Sequence, residues 1–191
     1  ETSYGYVSGK VDYMTHTLSG YQDFYSCEGD GDEMKWSVLP NTTGQYSMEL
    51  YTTRIKKIVE SHDADQPLLM MYNMQAIHSP YFAPKSYFSP DCTDIDEGRC
   101  VMQAMINAAE VSISEIIDAY EAKGMWNNTL LVFMSDNGAP ESRFSSNIPL
   151  RGWKSMLFEG GIRTPAFIYS PNPEIVVPRG RTSCYVHVSD W

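Results

Sequence analysis

Two stretches of the chain place apolar side chains every three or four residues. Residues 45–61 carry one such stripe, which predicts an amphipathic helix with basic side chains outward. Residues 102–120 carry a longer stripe, and Lys123 with Gly124 supplies a stop signal. We interpret the methionines of these stripes as core packing rather than as a metal or cofactor site. The predicted core positions are Met48, Tyr51, Ile55, Ile58 and Val59 in the first stretch, and Met102, Met105, Ala109, Ile113, Ile116 and Tyr120 in the second.

Three shorter apolar runs predict strands. Residues 68–74 are apolar apart from Asn73, the pattern of a strand covered on both faces, as in a parallel sheet. Residues 129–135 and 165–170 supply a second and a third strand. The order strand, helix, strand with a long connection predicts a right-handed βαβ unit. The predicted fold class is therefore α/β, with a mostly parallel sheet flanked by helices.

The chain is long enough for one sizeable core. It has 191 residues, of which 42% are hydrophobic, so we expect a single domain over 1–191 with its α/β portion in 45–191. Residues 1–40 show no sustained period and are predicted to be irregular. No run of about 18 apolar residues indicates a membrane span. No signal peptide precedes Glu1, so we expect a mature or truncated start.

Polar side chains follow two of the predicted strands. His78 comes after the first strand, and Asp136 and Asn137 come directly after the second. Ligands of α/β sheets bind outside the carboxyl ends of the strands, and carboxylate and amide oxygens suit Ca²⁺ or Mg²⁺. A plain Asp-Asn-Gly turn is the alternative interpretation. A divalent cation beside His78 and the loop residue Lys154 would suit a tetrahedral oxyanion ester, with the histidine protonating the leaving oxygen. Phosphate and sulfate esters both fit.

The net charge limits the classes of partner that the protein could bind, and the cysteines limit the cellular compartment in which it could fold. With 14 basic and 24 acidic residues, the formal charge of −10 argues against nucleic acid and anionic membranes as partners. The cysteines lack zinc-site spacing, and Cys92 with Cys100 could close a short loop by a disulfide. Glycosylation sequons begin at Asn41 and Asn127. Together these features favour a secreted glycoprotein in an oxidising compartment.

The sequence resembles the type I sulfatase family of the alkaline-phosphatase-like superfamily, in particular its arylsulfatase group near the N-acetylgalactosamine-4-sulfatases. The strongest likeness lies in Leu-Leu-Val-Phe-Met-Ser-Asp-Asn-Gly and in Pro-Leu-Arg-Gly-Trp-Lys-Ser. Similar blocks cover nearly the whole chain in the family's order, at residues 5–13, 67–80, 124–138, 149–165 and 187–191.

The resemblance implies a role for each matching residue. Asp136 and Asn137 would be two ligands of a Ca²⁺ ion, Lys154 would hold the sulfate group, and His78 would lie near the ester oxygen. A second set would be structural, comprising Glu159, Gly160, Gly161, Arg163 and His187. A phosphatase of the same superfamily is a weaker alternative, because two-metal sites use more histidine and aspartate ligands.

The departures from the family are equally informative. The family's nucleophile is a formylglycine made within a Cys/Ser-x-Pro-x-Arg motif, and none of the cysteines here begins that motif. The family's amino-terminal Asp-Asp pair and its small carboxy-terminal domain are also unmatched. Two ligands are too few for tight Ca²⁺ binding. We therefore expect the formylglycine and the remaining segments to lie in another part of the polypeptide or in another chain. A protein partner that covers the exposed surface is the other possibility.

Two function classes stay open at this point. The chain is either part of a sulfatase that hydrolyses sulfate esters, or an inactive sulfatase-derived glycoprotein with a structural or binding role outside the cell. His78, Asp136, Asn137 and Lys154 together favour the enzyme, because a structural descendant has no need of all four. The missing nucleophile favours the alternative for this chain taken alone.

Overall fold

A computed structural model describes residues 25–29, 33–39, 42, 45–92, 97–141, 144–175, 180–182 and 184–190. Its helices and strands, in chain order, are β1 (Tyr25–Glu28), β2 (Lys35–Val38), α1 (Ser47–Ser61), α2 (Glu97–Ala122), β3 (Leu131–Met134), α3 (Glu159–Ile162) and β4 (Ala166–Tyr169). Short 3₁₀ turns lie at Lys85–Tyr87, Trp126–Asn128 and Val188–Asp190.

The core lies between α1 and α2, which confirms both predicted helices. Gly124 ends the second helix region with a positive φ of 75°, as its stop signal predicts. The buried stripe of α2 differs from the predicted one, because Met102, Ala109, Ile113 and Ile116 are only partly buried. The buried positions of α2 are Gly98, Cys100, Val101, Ala104, Met105, Ala108, Ser112 and Tyr120.

Polar contacts cross the helix interface. The Ser112 hydroxyl oxygen lies 2.6 Å from that of Thr52 and 3.2 Å from that of Tyr72. Nearby, the Tyr87 hydroxyl donates to Glu49 Oε1 at 3.0 Å. Partial burial, with the hydrogen bond to Glu49 and its negative charge, raises the pKa of Tyr87 well above its usual range.

Residues 68–74 correct a prediction, since they are extended but form no strand. Alternate side chains pack on the helix pair, while Leu69 and Met71 between them are 96% and 83% exposed. Between described residues, no backbone hydrogen bond involves this segment. The helices therefore cover one face of this apolar segment, whereas we predicted that both faces would be covered.

The described strands form two antiparallel pairs. β1 pairs with β2, so the prediction of irregular structure was wrong over 25–38, while residues 1–24 lie outside the described part. β3 pairs with β4, with Leu131 opposite Tyr169 and Met134 opposite Ala166. The second and third predicted strands are thus present, but neither a parallel sheet nor the βαβ unit is found among the described residues. Strand direction depends on distant partners, which local periodicity does not record.

Two further predictions concern α2. One is the disulfide at its start, and the other is that the apolar runs of the chain are too short for a membrane span. The disulfide between Cys92 and Cys100 is present and joins the preceding loop to the first turn of α2, with the Cα atoms 5.5 Å apart. Of the helices that the structure describes, α2 has the length and apolar composition of a candidate membrane span. It packs along α1 and contributes its apolar face to the core, as core helices with such composition do.

Candidate functional site

The loop that carries Asp136 and Asn137 continues the antiparallel pairing of β3 with the segment that leads into β4. Ser135 N donates to Pro165 O at 3.1 Å, and Gly138 N donates to Gly161 O at 2.9 Å. Asp136 and Asn137 lie between these two anchored positions, so the backbone on either side of them is fixed.

Gly138 permits a close approach of two backbones. A Cβ atom built on Gly138 would overlap the carbonyl oxygen of Gly160 and lie 2.8 Å from its carbon. Gly160 and Gly161 are themselves buried in the short helix α3 and are equally confined by the carbonyls of Gly152 and Met156. Glycine is therefore required on both sides of this contact, which supports the structural role predicted for the Gly160–Gly161 pair.

Two oxygen atoms at the end of β3 are available to a cation. Asp136 uses Oδ1 to accept a hydrogen bond from Asn137 N at 2.8 Å, and Asn137 Nδ2 donates to Gly138 O at 3.0 Å. Asp136 Oδ2 and Asn137 Oδ1 have no hydrogen-bond partner among the described residues. Their chemistry fits a hard cation such as Ca²⁺. The described residues contain no group of three His, Cys, Asp or Glu side chains that could hold a metal, so this pair is a partial ligand set.

Lys154 meets the same loop through its backbone. Its N–H donates to Ala139 O at 2.9 Å, two residues beyond Asn137. The side chain is partly buried, and its ammonium group has no hydrogen bond or ion pair with a described residue. The structure thus brings Asp136, Asn137 and Lys154 onto two adjoining loops.

Asn147 joins these two loops, and sequence reasoning missed it. Its Oδ1 accepts a hydrogen bond from Ala139 N at 2.9 Å. Its Nδ2 donates to Ala139 O at 2.9 Å and to Gly152 O at 3.2 Å. No periodicity marks such a residue, and the only available signal was its position at the start of the turn before Pro149.

His78 lies on a separate loop after the extended segment 68–74. Its backbone N–H donates to Gln75 O at 2.9 Å, and its Nδ1 lies 2.7 Å from Ser79 O. Because a carbonyl oxygen only accepts, this contact requires a proton on Nδ1. The ring is exposed, and these two hydrogen bonds keep His78 within its own loop, apart from the pairing that joins the loops of Asp136 and Lys154.

The remaining predicted residues make local contacts. Glu159 and Arg163 form an exposed ion pair at 3.5 Å, and the Arg151 guanidinium lies 4.0 Å from the ring centroid of Phe158. His187 is exposed, and its backbone N–H donates to Asp190 Oδ2 at 2.6 Å. These contacts support structural roles.

Of the two glycosylation sequons, only the one at Asn127 begins within the described residues. Asn127 is exposed on the 3₁₀ turn Trp126–Asn128, where a glycan has room. Asn41 lies outside the described residues. Glycosylation at both positions stays a prediction.

Known proteins resemble this chain over two thirds or more of its length. The model of the sulfatase family, described as "Sulfatase", matches residues 2–187. Arylsulfatase J of Mus musculus is 33% identical over 202 residues, which cover 100% of this chain and 31% of that protein. N-acetylgalactosamine-6-sulfatase of Mus musculus is 27% identical over 68% of this chain and 25% of its own length.

Solved structures show the same relationship. The crystal structure of Ps i-CgsB in complex with k-i-k-neocarrahexaose superposes with a TM-score of 0.62 and 25% identity, over 72% of this chain and 31% of that one. The chain therefore spans about a third or less of the length of these relatives. Their shared fold supports the α/β class, although the two sheets described here are antiparallel.

Proposed function

Because the chain belongs to the sulfatase family, we propose that it forms part of an enzyme that hydrolyses sulfate esters. The observation that carries the proposal is the 2.9 Å hydrogen bond from Lys154 N to Ala139 O. It fixes the backbone of a lysine against the loop that carries two hard oxygen donors. A cation and a lysine side by side suit a sulfate group, because both would neutralise its negative charge.

Each residue has a distinct role in this proposal. Asp136 and Asn137 would hold a Ca²⁺ ion together with ligands from elsewhere in the protein, and a bound ion would supply positive charge beside the sulfate group. Lys154 binds the sulfate group through its ammonium group. His78, in its charged form, donates the Nε2 proton to the leaving oxygen, while its Nδ1–H is held by Ser79 O.

The nucleophile lies outside the residues of this chain. We propose a formylglycine supplied by the remaining segments of the same sulfatase, and a sulfated glycan or an aryl sulfate as substrate. The disulfide between Cys92 and Cys100 and the sequons at Asn41 and Asn127 support a secreted or lysosomal location. The alternative is an inactive glycoprotein with a structural or binding role.

Steady-state kinetics of the complete sulfatase with a small aryl sulfate tests these roles. We expect His78→Ala to lower kcat by about 10²- to 10⁴-fold with little change in KM. Asp136→Ala should first raise the Ca²⁺ concentration needed for half-maximal activity. His62→Ala and Asp65→Ala are matched controls, because both residues lie on a different loop. Equal losses of binding and turnover in both site variants would contradict this division of roles.

Mass spectrometry separates the enzyme from the alternative. We expect a companion peptide that carries formylglycine in the same native preparation. A preparation with this chain alone, without turnover of aryl sulfate, would favour the structural glycoprotein.

A further inference from the structure

The carboxamide of Asn147 is fully used between the two loops of the site. A carboxamide has one carbonyl oxygen and two N–H donors. Here the oxygen accepts from Ala139, and the nitrogen donates to Ala139 and to Gly152. Ala139 follows Asn137 by two residues, and Gly152 precedes Lys154 by two residues. The side chain therefore bridges the backbones that carry the oxygen donors and the lysine.

We propose that Asn147 is a positioning residue that sets the separation between Lys154 and the Asp136–Asn137 pair. The inference rests on the proposed function, because the separation matters only if both loops face one sulfate group. Asn147 touches neither the sulfate nor the cation in this proposal. It acts through the backbone of its neighbours.

Local structure explains why a side chain is needed here. Residues 144–158 contain neither a helix nor a strand, so no regular hydrogen-bond ladder fixes their distance from β3. The paired bonds between Asn147 and Ala139 imitate the two-bond exchange of an antiparallel residue pair. Without this clamp the 2.9 Å hydrogen bond from Lys154 N to Ala139 O would have to hold the two loops together unaided by Asn147. Lys154 could then shift relative to the cation ligands, and a misplacement of about 1 Å can cost about 10²-fold in rate.

Three variants test the clamp. Asn147→Ala removes all three hydrogen bonds. Asn147→Asp keeps an acceptor for Ala139 N but sets a carboxylate oxygen against two carbonyl oxygens. Ser146→Ala is the matched control, because among the described residues Ser146 Oγ accepts a hydrogen bond from Ile148 N, within the same loop. The measurements are kcat and KM for an aryl sulfate, inhibition by inorganic sulfate, and amide hydrogen exchange at Ala139, each in the full sulfatase.

The expected pattern differs from that of simple destabilisation. In Asn147→Ala, KM and the inhibition constant of inorganic sulfate rise about 10-fold, and the Ala139 amide exchanges about 10-fold faster. In Asn147→Asp, sulfate binding weakens while the Ala139 amide stays close to wild type. Ser146→Ala matches wild type in all three measurements. A merely structural role would lower the amount of active enzyme and leave KM and sulfate inhibition unchanged.

Two results would overturn the inference. Unchanged exchange at Ala139 in Asn147→Ala would disprove the contact, and faster exchange with unaltered KM and sulfate inhibition would disprove its role. If the wild-type protein itself neither hydrolyses the ester nor binds sulfate, the proposed function fails first, and the positioning role fails with it.

Discussion

Replacement of Gly138 by alanine tests the backbone contact on which the candidate site is built. The added methyl group would overlap the carbonyl oxygen of Gly160 and would lie 2.8 Å from its carbon and 3.1 Å from Gly161 Cα. All three atoms belong to the backbone, so no flexible side chain can move aside.

The size of the effect follows from these distances. An ordinary contact begins at 3.4 Å, so the Gly160 carbon must retreat by about 0.6 Å, and its oxygen by more. The same movement stretches the 2.9 Å hydrogen bond from Gly138 N to Gly161 O close to its limit. Overpacking costs about 1–3 kcal/mol, and the weakened hydrogen bond adds about 1 kcal/mol. We therefore expect the free energy of unfolding to fall by about 2–4 kcal/mol.

Urea unfolding measures this change, with Gly124→Ala as the control. Gly124 has a φ of +75° but nothing within 4 Å of an added Cβ, so alanine there incurs only backbone strain of about 1 kcal/mol. In the enzyme proposed above, Gly138→Ala should also weaken activity that depends on Ca²⁺, because it displaces the loop of Asp136 and Asn137. A smaller loss of stability in Gly138→Ala than in Gly124→Ala would refute the reasoning.

The helix interface gives two further predictions. Ser112→Ala should lower the free energy of unfolding by about 1–3 kcal/mol, because the hydroxyls of Thr52 and Tyr72 lose a buried partner; an equal effect of the exposed control Ser114→Ala in urea unfolding would contradict this. The raised pKa of Tyr87 means that the folded state keeps a proton that the unfolded chain loses above pH 10.0, so stability should fall as the pH rises past 10. Tyr87→Phe should make that fall shallower in thermal unfolding at pH 9 to 11, roughly the window around the tyrosine pKa, and identical slopes would exclude the assignment.

Elements defined by local patterns could be predicted from the sequence. The apolar spacing of α1 and α2 is a property of neighbouring turns, and the strands β3 and β4 are apolar runs with clear boundaries. The position of Asp136 and Asn137 at the end of β3 followed from the same boundary.

Features that depend on distant partners could not be predicted. The antiparallel pairing of β3 with β4 joins segments more than 30 residues apart, and period alone does not give its direction. Asn147 forms hydrogen bonds with backbone groups eight residues upstream and five residues downstream. Neither composition nor periodicity indicates such contacts. The β1–β2 hairpin has mostly exposed side chains, so it lacks the apolar alternation that would have revealed it.

The one-sided packing of residues 68–74 has a consequence for the order of folding. Both helices and this segment lie within residues 47–122, so their mutual contacts close comparatively short loops and can form early. Once they have formed, Leu69 and Met71 present a row of solvent-exposed side chains on an extended backbone. Such an edge is a template for association between chains until a neighbour covers it. Early cover of this segment by a neighbour would therefore reduce association between chains during folding.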